Sequence, residues 1–154
     1  MVNKSKIKGS AYEAKIRDYL TKELKLEFKR MPLSGALEYL KGDLWTPHDT
    51  AAWPYCIECK HYSEVNWNNV LTAKTSDLLN FWRQATEAAD IMKKKPLVIY
   101  RWNRSKDYVC WNDNIELKNQ IEIKSFEIYF KMGLLDEWIK EINIQLNSSK
   151  SNNN

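Results

Sequence analysis

The sequence predicts a mixed α/β fold, in which a mixed β-sheet carries α-helices on its faces. Amphipathic helical stretches recur near the start, middle and end of the chain, and short apolar or alternating runs fill the intervals between them. Size agrees, since 154 residues with 44% hydrophobic content suit one ordinary domain with a real core. We expect a single domain over residues 1–146 and a disordered tail over 147–154, where serine, asparagine and one lysine offer nothing to bury.

The first helix is expected from Ser10 to about Leu24. Tyr12, Ile16, Tyr19 and Leu20 repeat on one face, and Ser10 with Glu13 matches a capping box. A short apolar segment, Leu26 to Phe28, follows. Arg30 to Gly42, marked by Pro32, Ser34, Gly35 and Gly42, reads as a loop longer than connection requires. Asp43 to Trp45 starts a strand, and Thr46 to Ala52, with Pro47 and His48, is a polar turn. Pro54 to Tyr62 is a strand with proline at its mouth, where the missing amide hydrogen does least harm.

Asp77 to about Lys94 is the second helix, with Leu78, Phe81, Trp82, Ala85, Ala88, Ala89 and Met92 on its apolar face and a basic end that suits the helix dipole. Pro96 introduces Leu97 to Tyr100, a continuous apolar run fit for a strand covered on both faces. Tyr108 to Trp111 and Phe126 to Phe130 read as further strands. Leu134 to Leu146 is a closing helix carrying Leu135, Trp138, Ile139 and Ile142. There is no internal repeat.

No run of about 18 or more apolar residues is present, and the lysines before Gly9 have no apolar stretch behind them, so no membrane span or signal peptide is expected. A soluble cytoplasmic protein is the expectation. Three cysteines, Cys56, Cys59 and Cys110, are too few for a disulfide framework. The net charge of +4 permits nucleic acid as a partner without demanding it. The basic residues cluster: Lys4, Lys6 and Lys8 lead the chain, Lys93 to Lys95 form a run, and Arg101 and Arg104 bracket Trp102. Such clusters either track phosphates or simply keep the surface solvated.

The chemistry centres on Cys56-Ile57-Glu58-Cys59-Lys60. Strand alternation puts Glu58 and Lys60 on one face and Tyr55, Ile57 and Cys59 on the other. Taken alone, this is the pattern of any half-exposed strand. The context changes that reading, because Gly42-Asp43 opens the preceding strand and Glu13 sits on the first helix. Asp43 and Glu58 supply hard oxygen ligands of the kind magnesium prefers, with the Cys59 carbonyl and waters to complete the shell. Water activated at such an ion can attack a phosphodiester in line, with Lys60 placed to position that water or neutralise the phosphate.

Gly42-Asp43 followed by Ile57-Glu58-Cys59-Lys60 resembles the signature of the PD-(D/E)XK nuclease superfamily, with glycine where proline usually precedes the aspartate. The resemblance spans roughly residues 9 to 111 and is nearest to archaeal and phage Holliday-junction-resolvase-like endonucleases. Gly9-Ser10-Ala11-Tyr12-Glu13 is similar to their glutamate-bearing first helix, and Arg30-Met31-Pro32-Leu33-Ser34-Gly35-Ala36 to their basic, serine-containing loop. Phe81-Trp82-Arg83-Gln84-Ala85 resembles the helix that brings a glutamine near the site, and Pro96-Leu97-Val98-Ile99-Tyr100 the buried strand after it.

The resemblance implies a restriction-endonuclease-like fold and a metal-dependent DNA endonuclease, using Mg2+ or Mn2+. Asp43 and Glu58 match metal ligands, with the Cys59 backbone carbonyl beside them, and Lys60 matches the catalytic lysine. Glu13 matches an auxiliary acid holding a second ion or an ordered water, although capping with Ser10 and pairing with Arg17 would each explain it structurally. Gln84 matches a group that orients the nucleophilic water, against the plainer role of capping a neighbouring backbone group. Arg30 and Ser34 would hold the scissile phosphate or a strand beside it, and Arg101 and Arg104 backbone phosphates.

Branched DNA is the implied substrate and a homodimer the implied assembly, because a four-way junction offers two symmetry-related cleavage points. A restriction or homing endonuclease of the same superfamily is the alternative, and a non-catalytic DNA-binding module the reading from another class. A zinc or redox site at Cys56 and Cys59, with His61 or His48, is disfavoured because their spacing sends the two sulfurs to opposite faces. Trp45, Trp53 and Trp67 fall in loop-like segments beside the site, where one or more is a candidate to stack on a base or pack a subunit interface.

Overall fold

A computed structural model describes residues 4–32, 40–72, 76–125 and 127–151. Helix α1 (Lys4–Leu24) leads into β1 (Lys29–Arg30), β2 (Leu44–Trp45), one 3-10 turn (Thr50–Ala52) and β3 (Tyr55–Tyr62). Helices α2 (Trp67–Leu71) and α3 (Asp77–Met92) carry the chain over to β4 (Lys95–Trp102). Strands β5 (Tyr108–Trp111), β6 (Ile121–Ser125) and β7 (Ile128–Leu134) follow, and α4 (Leu135–Ser151) closes the fold. Among the described residues the strands form one seven-stranded sheet in the order β1-β2-β3-β4-β5-β7-β6. Among these described strands only β3 and β4 run parallel, in a register that sets Glu58 against Val98 and Lys60 against Tyr100. The expected mixed α/β architecture of the restriction-endonuclease-like kind is what the chain adopts.

A parallel pair cannot be joined by a tight turn, so the chain between β3 and β4 must cross a sheet face, and α3 is that crossing. Ser76 caps α3 by accepting the amide of Leu79 at 3.1 Å, and Lys93 in a left-handed conformation (φ 55°) ends it. The helix therefore stops at Met92, short of the expected Lys94. That lysine instead holds the chain from outside, donating to the carbonyls of Thr50 and Trp53. Lys95 bridges to Asp113 at 3.4 Å. Two members of the basic run are thus structural.

The sheet separates two apolar layers. On one side, Tyr12, Ile16, Leu20 and Leu24, one helical turn apart on α1, pack with Trp138, Ile139 and Ile142 of α4 against Ile57, Cys59, Leu97 and Ile99. On the other, Leu78, Phe81, Trp82 and Ala85 of α3 cover Val98, Tyr100, Cys110, Phe130 and Met132. Each of these large side chains contributes about 2 kcal/mol when taken out of water.

Several expectations need correcting. Helix α1 begins at Lys4, not Ser10, so Ser10 and Glu13 stand inside it and the capping box does not form. Helix α4 runs through Ser151, where disorder was expected from Asn147. The hydroxyls of Ser148 and Ser149 donate to carbonyls one turn back, at 2.9 and 3.1 Å, and so sit within the helix. The last predicted strand lies later, at Ile128–Leu134, and β6 and α2 were not anticipated. Ser34, Gly35, and the side chains of Lys4, Lys6 and Lys8 lie outside the described residues.

Candidate active site

Gly42 is the residue that brings Asp43 to β3. It has a φ of +92°, and a Cβ there would stand 2.8 Å from the Ile57 carbonyl oxygen and 3.0 Å from the Cys56 sulfur. Only glycine takes that conformation without strain and leaves room for the close approach. The next amide, of Asp43, donates to the Ile57 carbonyl at 2.7 Å, and the Asp43 carboxylate accepts the amide of Cys59 at 2.7 Å. One aspartate is thus tied at backbone and side chain to the strand that carries Glu58.

On β3 the alternation holds. Cys59 points into the layer under α1, whereas Cys56 packs with Ala88 and Ala89 under α3. The two sulfurs are on opposite faces, as expected, and all three cysteines are free and buried. Glu58 and Lys60 lie on the α3 side. The Lys60 ammonium is 3.9 Å from the Glu58 carboxylate and 5.2 Å above the Phe81 ring, with side chains 23% and 14% exposed for Lys60 and Glu58.

Burial pushes the Glu58 carboxyl well above the usual carboxylate range, the Asp43 charge and a hydrogen bond to Asp43 push it further, and Lys60 opposes them. Burial and the Asp43 charge make a bare Glu58 carboxylate costly, and a cation bound there would offset that cost. Their oxygens, with the Cys59 carbonyl on the same strand, make a hard donor set of the kind a divalent ion takes. The residues present therefore fit such an ion.

Glu13, on α1, lies close enough to Asp43 and Lys60 to feel their charges. Its carboxyl is raised by burial and by Asp43, and lowered by Arg30 and Lys60. Neither of its two expected structural roles survives. The Ser10 hydroxyl accepts from the Nη2 group of Arg30 at 3.1 Å, and Arg17 pairs with Asp18 at 3.0 Å. Glu13 instead takes Arg30 of β1, with Nε and Nη2 at 3.1 and 3.0 Å from the same oxygen. Among the described residues, no group of three or more His, Cys, Asp or Glu is arranged to hold a metal. Glu13 thus approaches the two acids with one carboxylate oxygen already taken by Arg30.

Gln84 is exposed on α3. Because Ala88 meets Cys56 and Phe81 meets Lys60, α3 runs antiparallel to β3 and its intervening turn, with Gln84, is level with Glu58. Arg101 is not drawn into the group. It pairs with His61 in the β3–β4 register, its Nε is buried without a hydrogen-bond partner, and it borders a cavity of about 300 Å3 with Lys15, Lys106 and Asp107. Arg104 is exposed in the turn after β4, at a φ of 63°.

The tryptophans split. Trp53 is buried among Phe28, Tyr55 and Trp138, so its expected role beside a base is corrected to a core one. Trp45 is half-buried, and Trp67 is 37% exposed and edge-on to Trp102. Sequence reasoning missed the clasp that Ser10 and Glu13 form around Arg30. Their spacing of three on one helix face was the available signal, but it was read as a cap.

A family model described as "Phage putative PDDEXK endonuclease" matches residues 4–147. Protein D14 of Escherichia phage T5 is similar, 26% identical over 152 aligned positions, in an alignment that covers 92% of this chain and 95% of that protein. No solved structure matches.

Proposed function

We infer the reaction from kinship: this chain belongs to the phage PDDEXK endonuclease family, a group of nucleases that generally use divalent metal ions. It hydrolyses phosphodiester bonds of DNA, and the observation that carries this reading is the convergence of Asp43 and Glu58 with the Lys60 ammonium beside them. Asp43, Glu58 and the Cys59 carbonyl are the ligands of the ion, which we take to be Mg2+, with Mn2+ as substitute. A divalent cation there supplies a more acidic water and offsets the negative charge that builds on a phosphodiester under attack.

The protein's part is positional. The Cys59 amide fixes one Asp43 oxygen, which leaves the other directed by the carboxylate plane. Lys60, steadied over Phe81, holds the attacking water or a phosphate oxygen. The new bond joins water oxygen to phosphorus as that water gives up a proton, and the bond to the leaving deoxyribose oxygen breaks as that oxygen takes up a proton from solvent. Gln84, level with Glu58, orients the water from the α3 side. Arg30, Ser34, Arg101 and Arg104 contact phosphates, which fixes the register of the strand without reading its sequence.

The finer reading is a junction-selective enzyme that works as a two-fold dimer on branched DNA, in the cytoplasm of a bacterial, archaeal or phage-infected cell. Its support is the order of motifs along the chain. Among the described residues, no helix is long and apolar enough to cross a membrane. Incubation with plasmid, linear duplex and a synthetic four-way junction, with Mg2+ or with chelator, tests it. Symmetric cuts in the junction alone support resolution, and cutting of linear duplex at one motif points to a restriction-type enzyme. Binding without nicking under Mg2+ or Mn2+ would leave a DNA-binding module.

A further inference from the structure

The first-helix acid is clasped to an arginine. We propose that Glu13 is a positioning residue for Arg30, and that with Ser10 it presents the guanidinium to a DNA phosphate at the cleavage centre. This rests on the nuclease reading above and deepens it, because it removes Glu13 from the metal site and assigns it to substrate.

Three observations carry the proposal. Arg30 spends Nε and one Nη2 contact on a single Glu13 oxygen, and Nη2 also meets Ser10 at 3.1 Å. The guanidinium has five N–H donors in a fixed fork, so two tethers from one helix face set its plane, and Nη1 takes no contact among the described residues. Arg30 is also anchored from behind. It is opposite Leu44 in the β1–β2 register, and the next amide, of Met31, donates to the Asp43 carbonyl at 2.8 Å. The guanidinium is therefore held beside the segment that delivers Asp43, yet its side chain is 37% exposed and open to a partner. Finally, both Arg30 contacts fall on one Glu13 oxygen, so that oxygen is committed to the guanidinium although Glu13, Asp43 and Glu58 lie within electrostatic reach of one another.

A ligand and a positioning residue give different outcomes in two measurements. In calorimetry with Mn2+, Asp43→Asn is expected to lose about tenfold or more in affinity, whereas Glu13→Gln stays within about twofold of the parent. In single-turnover cleavage, Glu13→Gln and Arg30→Ala are each expected to lose roughly tenfold or more, and the double variant to be no slower than Arg30→Ala alone. Ser10→Ala, which removes only the lesser tether, is expected to slow cleavage about two- to threefold with Mn2+ affinity unchanged. The proposal is overturned if Glu13→Gln loses Mn2+ affinity as Asp43→Asn does, or if the Glu13 and Arg30 losses multiply. A parent protein that takes up no Mn2+ at all sinks the nuclease reading itself, and this one with it.

Discussion

The Asp43 carboxylate accepts the Cys59 amide at 2.7 Å, so the acid that precedes β2 is locked onto the strand that bears Glu58. The lock uses one oxygen and survives replacement by asparagine, whose carbonyl accepts the same amide. Asp43→Asn and Glu58→Gln should therefore fold, abolish cleavage, and leave DNA affinity within about twofold when measured in Ca2+ or chelator. Gel shift and cleavage assays on the same preparations check this. Cleavage by Asp43→Asn at the parent rate would remove this pair from the centre.

Glu58 ties stability to pH. Its carboxyl is raised in the folded state by burial and by Asp43, so the folded protein binds that proton more tightly than the unfolded chain does. The contribution is fully present below the ordinary carboxylate range and is lost as pH rises through the raised value. In chelator, the melting temperature should fall as pH is raised from about 5 to 8, and added Mg2+ should restore most of it at the upper end. Glu58→Gln, which keeps the hydrogen-bonding shape without the charge, should melt higher than the parent at pH 8 in chelator. An unchanged melting temperature across this range would contradict the shift.

Gly42 has no acceptable substitute. In Gly42→Ala the new carbon meets the Ile57 carbonyl oxygen at 2.8 Å and the φ of +92° is strained as well, at a cost of about 1–3 kcal/mol. Denaturant unfolding should show that loss. Cleavage should fall further than stability does, because whatever relieves the clash moves Asp43 away from Cys59.

Lys60 separates rate from affinity. Lys60→Met keeps the contact with Phe81 and discards the charge, so cleavage should drop about 100-fold or more. The same change removes a positive charge 3.9 Å from Glu58, so Mn2+ should bind at least as tightly as to the parent. Weaker Mn2+ binding by this variant would show that the lysine shapes the ion site instead of working beside it.

Much of this was legible in the sequence, unevenly. Strand β3 was readable almost to the residue, because proline opens it and alternation separates Glu58 and Lys60 from Ile57 and Cys59. Helix α3 was readable from its apolar stripe, and Asp43 from the glycine before it. The ends of the chain were not. Asn3, a residue type that favours N-caps, precedes Lys4, but the lysines up to Gly9 show no apolar stripe to mark a helix, and the polar residues after Leu146 look like a tail although they extend a helix already nucleated by Trp138 and Ile142. Strand β7 runs past the expected end at Phe130 and takes in a buried lysine, Lys131, whose ammonium is satisfied by the carbonyls of Asp113 and Ile115 and by the Glu116 carboxylate, at 2.8, 3.0 and 2.5 Å. The Glu13–Arg30 clasp likewise depends on a pairing of β1 with β2 that only three-dimensional register supplies.

The sheet keeps its indoles in separate compartments. Trp53, Trp111 and Trp138 belong to the layer beneath α1 and α4, Trp82 to the layer beneath α3, and Trp67 stands near the surface against Trp102. Intrinsic fluorescence can therefore time events on each side of the protein independently. With the other indoles replaced by phenylalanine, emission from Trp82 would follow the docking of the crossover helix during refolding, and emission from Trp138 the arrival of the closing one.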